Sequence, residues 1–106
     1  MIKHIVLWKL KDNVGGKPKL DHALCLKEAL ENLNGKISGM PLLEVGVHVK
    51  DSESGDDDAD VILYAEFDNV ESLENYYSHP EHVKIKPFSQ SIRRERRVIN
   101  YEVQRA

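Results

Sequence analysis

The sequence predicts an α+β protein with a ferredoxin-like protomer, in which helices cover one face of an antiparallel sheet. Three observations support this class: four strand-like segments, helix-like segments between the first and second and between the third and fourth of them, and a polar loop joining the middle pair. The resulting order is β-α-β-β-α-β. The four strands are expected at residues 2–10, 43–49, 61–67 and 98–103.

The first half of the chain begins with a run rich in Ile, Val, Leu and Trp, followed by a loop ending in Gly15-Gly16. This pattern is typical of a strand followed by a turn. Pro18 suits the first turn of a helix, and Asn34-Gly35 suits its end. Apolar residues recur between them at helical spacing. Residues 43–49 then alternate apolar and polar side chains, which predicts the second strand.

The second half opens with an acidic loop at residues 50–60, followed by an apolar strand at 61–67. Asp68-Asn69-Val70-Glu71 resembles a helix start, and this helix is expected to end near Tyr77. Pro80 fits the first turn of a further helix, which Pro87 should kink or restart. The last strand is expected from Val98 to Val103.

The two faces of the predicted sheet differ in character. One face combines large apolar residues with Glu44, His48 and Glu66. Such a face is too apolar for a monomer, so we expect a homodimer with two sheets packed face to face, forming a dimeric α/β barrel. The other face should point towards the helices. His4 and Asn100 are its polar members and are expected on the floor of any internal cavity.

The composition fits a single domain over residues 1–106. Hydrophobic residues make up 41% and charged residues 31%, and the net charge is −3, so we expect neither nucleic acid nor membrane as partner. The N-terminal apolar run is short and interrupted by Lys, which favours a cytoplasmic protein over a secreted one. Cys25, the single cysteine, is expected to be a small buried hydrophobic residue.

Residues 76–82 bring two tyrosines, two histidines and a carboxylate together around Pro80. Histidine titrates near neutral pH, and a phenol can donate or accept a hydrogen bond. If these rings face one cavity, they could bind a polar group or move its protons. If they only cap a helix, their role is structural. The spacing alone leaves both interpretations open.

Two charged clusters are interpreted as solvated surface. The acidic loop at residues 50–60 lacks the spacing of a calcium-binding loop, and the His79-Pro80-Glu81-His82 run lacks a third ligand, so no metal site is predicted. Arg93, Arg94, Arg96 and Arg97 are expected at the end of the last helix, where cations complement the helix dipole.

Four segments of the chain carry a resemblance to a known family. They are residues 2–12 with Lys3-His4, residues 65–73, Tyr76-Tyr77-Ser78-His79-Pro80-Glu81-His82-Val83, and Arg97-Val98-Ile99-Asn100-Tyr101. Together they resemble the stress-responsive α/β-barrel (Dabb) family of small dimeric proteins with ferredoxin-like protomers. The resemblance spans nearly the whole chain.

The resemblance implies candidate site residues. A plant branch of the family closes rings by aldol chemistry without metal or cofactor, and its catalytic pair corresponds to Tyr76 and His82. His4 and His79 also match histidines of the family. With Trp8 and Asn100, they are expected to bind the ligand.

The sequence therefore supports two main hypotheses. The first is a homodimer that binds a small, largely apolar carbonyl compound between sheet and helices, with cofactor-free cyclase or lyase activity. The second is a non-catalytic structural or interaction module related to stress. A cofactor-free oxygenase is a third, supported by architecture alone.

Overall fold

A four-stranded antiparallel sheet organises the chain. The computed structural model describes residues 1–55 and 59–104. In chain order the elements are β1 (Ile2–Leu10), β2 (Asn13–Val14), β3 (Lys17–Pro18), α1 (Lys19–Glu31), β4 (Leu42–Val47), β5 (Val61–Phe67), α2 (Val70–Ser78), α3 (Pro80–Val83), α4 (Lys86–Ile92) and β6 (Arg93–Glu102). The sheet order is β4-β5-β1-β6. The predicted ferredoxin-like class is confirmed.

The strands at 2–10 and 61–67 have the predicted bounds, and the second predicted strand ends earlier, at Val47. The loop predicted after β1 contains the short hairpin β2–β3. Gly15 and Gly16 turn this hairpin with φ angles of 61° and 79°, which few residues other than glycine adopt at low cost.

The last strand is longer than predicted. Arg93, Arg94, Arg96 and Arg97 belong to β6, so their assignment to a helix end is wrong. The cause is pairing with β1, which supplies backbone partners from Leu10 back to Ile2. The pairing shifts between Lys9 and Leu10: Lys9 lies opposite Glu95 and Leu10 opposite Arg93, which leaves Arg94 as an extra residue.

The core lies between the sheet and the helices. Helix α1 buries Ala23, Leu26 and Leu30. Leu20 and Leu24 also belong to the helical spacing of apolar residues, yet both are half exposed. Cys25 is exposed as well, so the prediction that it is buried is wrong. This cysteine lies outside the stripe that contacts the core. No helix in the described part of the chain is both long and apolar enough to cross a membrane.

Within residues 1–55 and 59–104, no helix covers the other face of the sheet. Ile99 and Tyr101 are 49% and 46% exposed there. Across the same face, Lys3 forms an ion pair with Glu66, and the Tyr64 hydroxyl donates a hydrogen bond of 2.7 Å to the Glu66 Oε2. We call this surface the outer face. It combines apolar and polar side chains as the sequence predicts.

Candidate functional site

A cavity of about 430 Å³ lies between the sheet and the helices. Its floor consists of strand residues that share one face: His4, Val6 and Trp8 of β1, and Arg93, Arg96 and Val98 of β6. Helix α1 contributes Leu26 and Leu30 to the lining. The volume falls within the range of roughly 300–1,000 Å³ typical of small-molecule sites.

The junction between α2 and α3 positions Tyr76 and His82 over this floor. Asn69 starts α2 by accepting a hydrogen bond from the Ser72 amide. Pro80 cannot continue α2, so the chain is extended at His79 and turns into the short helix α3. The turn brings the rings of Tyr76 and His82 to a centroid distance of 4.3 Å.

The histidine at position 79 has a different role. Its Nδ1 accepts a hydrogen bond of 3.1 Å from the Glu81 amide, which caps α3. His79 is not among the residues that line the cavity. The structure therefore does not bring this predicted ligand-binding residue into the site. Histidines 79 and 82 are three residues apart in the sequence. Their side chains lie in different environments because Pro80 begins a new helix between them.

The imidazole of His82 is held in one tautomer. Its Nδ1 lies 3.2 Å from the carbonyl oxygen of Tyr77. A carbonyl only accepts, so Nδ1 carries the proton and Nε2 is left with a lone pair. Burial is the main cause that lowers the pKa of His82, with smaller contributions from the charges of Lys86 and Arg96. The neutral ring can therefore accept a proton at Nε2.

The hydroxyl of Tyr76 is kept protonated. Tyr76 is 1% exposed, and burial raises the pKa of its phenol well above the usual range. Its ring packs against Phe67 at a centroid distance of 5.1 Å and against His4 at 5.9 Å. Among the described residues, no hydrogen-bond partner is found for this hydroxyl. It is available as a donor to a bound molecule.

A chain of hydrogen bonds fixes His4 on the floor. Its Nδ1 lies 2.6 Å from the Asn100 Oδ1, and the Asn100 Nδ2 donates a bond of 3.2 Å to the Tyr77 hydroxyl. The amide oxygen only accepts, so the His4 Nδ1 carries the proton. Its Nε2 is buried and has no partner among the described residues. Burial lowers the pKa of His4, which favours the neutral ring.

Four of the predicted site residues thus lie around one cavity: His4, Trp8, Tyr76 and His82. The Trp8 indole donates a hydrogen bond of 3.2 Å to the Ser89 hydroxyl, which fixes its orientation. Asn100 does not line the cavity and acts behind His4.

Sequence reasoning missed the cationic part of the lining. Arg93, Arg96 and Lys86 all contribute to the cavity. The two arginines were assigned to a solvated helix end because a run of arginines does not resemble a strand. Strand parity could have found them only if the strand had been extended back to Arg93 and its extra residue recognised.

In the described residues, no group of three or more His, Cys, Asp or Glu side chains lies close enough to hold a metal ion. In the acidic loop, Asp51 accepts hydrogen bonds from the amides of Glu53 and Ser54. Asp60 accepts one from the Leu10 amide. Asp56, Asp57 and Asp58 lie outside the described residues.

The sequence as a whole matches the stress-responsive A/B barrel domain over residues 2–103. The chain belongs to this family, known as Dabb. An uncharacterized protein of Streptomyces coelicolor is 32% identical over 83 residues, which are 77% of this chain and 79% of that protein.

Solved structures share the fold of this Dabb protein. A dimeric protein of unknown function with a ferredoxin-like fold from Bacteroides fragilis is 37% identical, covers 96% of this chain and 95% of its own, and has a TM-score of 0.81. The hydroxynitrile lyase of Passiflora edulis is 18% identical, covers 99% of this chain and 94% of its own, and has a TM-score of 0.78. At that identity the likeness to the lyase concerns the fold alone.

Proposed function

We propose that this Dabb protein binds a small, largely apolar carbonyl compound in the cavity and catalyses a cofactor-free reaction at the carbon next to the carbonyl. The observation that carries the proposal is the pairing of Tyr76 and His82, whose rings lie 4.3 Å apart against the cavity. One ring offers an unprotonated Nε2 and the other a protonated hydroxyl. A base and a hydrogen-bond donor side by side suit this chemistry.

The proposed step is a proton transfer. The Nε2 of His82 takes a proton from the carbon next to the carbonyl, and the electron pair of that C–H bond moves onto the carbonyl oxygen. The Tyr76 hydroxyl donates a hydrogen bond to this oxygen as its negative charge develops. The resulting enolate either takes the proton back or attacks a second carbonyl, as in a cyclisation. Burial of both rings favours the step because a dry site strengthens each of these interactions.

His4 supports the site from the floor. Its ring lines the cavity, and Asn100 holds the ring in place. We therefore assign His4 to ligand binding, with Trp8 as an apolar wall.

The non-catalytic alternative also has support. The bond between the His82 Nδ1 and the Tyr77 carbonyl, together with the ring stacking of Tyr76, gives both side chains a structural role. In this alternative the protein is a structural or interaction module, and no reaction takes place in its cavity. The test of proton transfer decides between the two.

The decisive experiment follows deuterium exchange at the carbon next to the carbonyl of 2-octanone in D₂O, by proton NMR. Wild-type protein should accelerate exchange, and His82→Asn should reduce the acceleration about 100-fold or more, since a positioned base contributes that much. Tyr76→Phe should reduce it about tenfold to a thousandfold through loss of the oxygen-binding hydroxyl.

His79→Asn is the matched control, because His79 lies outside the cavity and asparagine also caps helices. It should exchange at the wild-type rate. Equal rates for wild type, His82→Asn and Tyr76→Phe would refute the catalytic roles and favour the structural module.

We also propose that the protein is a homodimer joined through the outer face, a dimeric α/β barrel. The exposure of Ile99 and Tyr101 supports this proposal, as does the dimeric state of the Bacteroides fragilis relative. Ile99→Asp should shift sedimentation from dimer to monomer, whereas Leu20→Asp, at an exposed leucine on α1, should not. A monomeric wild-type protein would contradict the proposal. A cytoplasmic location remains a prediction of the sequence.

A further inference from the structure

One end of the cavity carries three cations, Lys86, Arg93 and Arg96, which we call the cationic end. Lys86 is the first residue of α4. Arg96 pairs with Trp8 across the sheet, and Arg93 pairs with Leu10. His4 precedes Trp8 by four positions on β1, about 13 Å along an extended strand. Arg96 also lies close enough to Tyr76 and His82 for its charge to act on the pKa of both, so the cationic end adjoins the tyrosine–histidine pair within one cavity.

Arg96 faces the cavity by regular strand parity with Val98, and Arg93 joins it because of an irregularity in β6. In a regular strand, side chains three positions apart point to opposite faces of the sheet. The extra residue Arg94 changes that parity, so Arg93 and Arg96 share the helix-facing side. Bulges commonly redirect side chains in this manner near functional sites.

The cationic end has no counter-ion within the described part of the chain. None of the ion pairs found there includes Lys86, Arg93 or Arg96. The neighbouring carboxylate of Glu95 is engaged elsewhere, with Lys9 at 3.3 Å and Arg97 at 2.9 Å. Burial, and then the charge of Arg93, lowers the pKa of Arg96. By surface exposure Arg93 is half-buried, whereas Lys86 and Arg96 are exposed. Like charges that line one cavity without a partner repel one another, and an anion would relieve this repulsion.

The chemistry of these groups selects the anion. A guanidinium presents a planar set of N–H donors that matches a carboxylate in a two-point contact. The remaining lining, with Val6, Leu26 and Leu30, suits an alkyl chain. We propose that the substrate is an oxo acid whose carboxylate binds at the cationic end while its ketone lies at Tyr76 and His82. The ketone half rests on the proposed function, and the carboxylate half is tested independently of it.

Isothermal titration calorimetry with three eight-carbon probes tests the carboxylate half. The probes are octanoate, octanamide and octyl phosphate, which share a chain and differ in head group. Wild-type protein should bind octanoate about tenfold or more tightly than octanamide, because a hydrogen bond to a charged group is worth that much. Octyl phosphate should not exceed octanoate.

Charge removal locates the head group. Arg93→Gln and Arg96→Gln should each weaken octanoate binding about tenfold to a hundredfold and leave octanamide binding unchanged. Unchanged octanamide binding also shows that the cavity is intact. Arg94→Gln removes the same charge from an exposed neighbour outside the lining and should bind octanoate like wild type.

For the wild-type protein, equal affinity for octanoate and octanamide, or no octanoate binding up to about 10 mM, would overturn the proposal. So would unchanged octanoate affinity in both arginine variants, or a loss of octanoate affinity in Arg94→Gln equal to theirs. Tighter octyl phosphate binding through the same arginines would replace the carboxylate with a phosphate ester. Octanoate has no ketone, so its binding does not require the proposed proton transfer. If no proton transfer is observed, octanoate binding at the cationic end still supports the carboxylate half. If octanoate does not bind there, the proton-transfer experiment is unaffected.

Discussion

The helix-facing side of the sheet has two halves that share one strand parity and differ in packing. In the packed half, Leu63, Ala65 and Phe67 of β5 are fully buried. In the open half, Val98 of β6 has the same orientation and is 38% exposed. The packed half is an ordinary core, and the open half contains the cavity.

The helices account for this difference. Helix α1 runs without a break for 13 residues and packs against β4. The remaining helices are segments of 9, 4 and 7 residues, and Pro80 and Pro87 lie in the first turns of the second and third. The first of them contacts β5, where the ring of Tyr76 packs against Phe67. Short segments cannot cover a twisted sheet as evenly as one long helix. The comparison teaches that the cavity arises where the helices are interrupted.

The largest expected difference between the halves follows from removing apolar volume. Leu63→Ala should lower the free energy of unfolding by about 2–5 kcal/mol, because the surrounding core cannot fill the space. Val98→Ala should lower it by less than about 1 kcal/mol, since Val98 already borders open volume. Urea unfolding at one protein concentration measures both. Similar losses in the two variants would abolish the distinction between the halves.

Adding volume should give a smaller difference of the same kind. Ala65→Leu should destabilise the protein by about 1–3 kcal/mol, because a fully packed site must shift to accept the larger side chain. Val98→Leu should change stability by less than about 0.5 kcal/mol, since the cavity takes up the extra atoms. Thermal unfolding of the two variants is the comparison. If Val98→Leu destabilises the protein as much as Ala65→Leu does, there is no free space beside Val98 and the distinction between the halves is wrong.

The smallest expected effect is a pH dependence that arises in the open half. Burial lowers the pKa of His4 and of His82 below the ordinary value of 6.5, so the unfolded chain binds protons more readily than the folded protein. Stability is therefore fully present above pH 6.5 and falls as the pH drops from there towards the lowered pKa values. Each histidine contributes at most about 1.4 kcal/mol per pH unit.

Unfolding free energies measured from about pH 7 to about pH 5 check this dependence. His4→Gln should have a shallower fall than wild type, and His4→Gln combined with His82→Gln a shallower one still. His79→Gln, a control outside the cavity, should retain the wild-type fall. A double variant with the wild-type slope would show that other groups cause it.

Much of the fold could be predicted because the signals are local. The apolar runs of β1 and β5 gave exact bounds, and alternation placed His4 and Asn100 on one face, where they are hydrogen bonded. Cys25 was misplaced because the apolar residues of α1 extend beyond the stripe that contacts the sheet. Only tertiary packing selects the buried stripe.

The site was harder to predict because two of its features depend on irregular backbone. Spacing could not separate His79 from His82, since their different environments arise from the helix start at Pro80. Arg96 was missed because the strand was predicted to begin only at Val98, and Arg93 because its orientation depends on the bulge at Arg94. Neither feature follows from a regular period of 2 or 3.6 residues.

The bulge at Arg94 has a consequence for comparing homologues. In a relative of the same length whose β6 pairs regularly with β1, the residue corresponding to Arg94 would lie opposite Leu10, and the residue corresponding to Arg93 would turn to the opposite side of the sheet. Column-by-column alignment would then report a conserved arginine where the binding group has been lost. Specificity in this family should be compared by which residue pairs with Leu10 across the sheet. Regular pairing of β6 in place of the bulge would thus remove one arginine from the cavity while the fold stays intact.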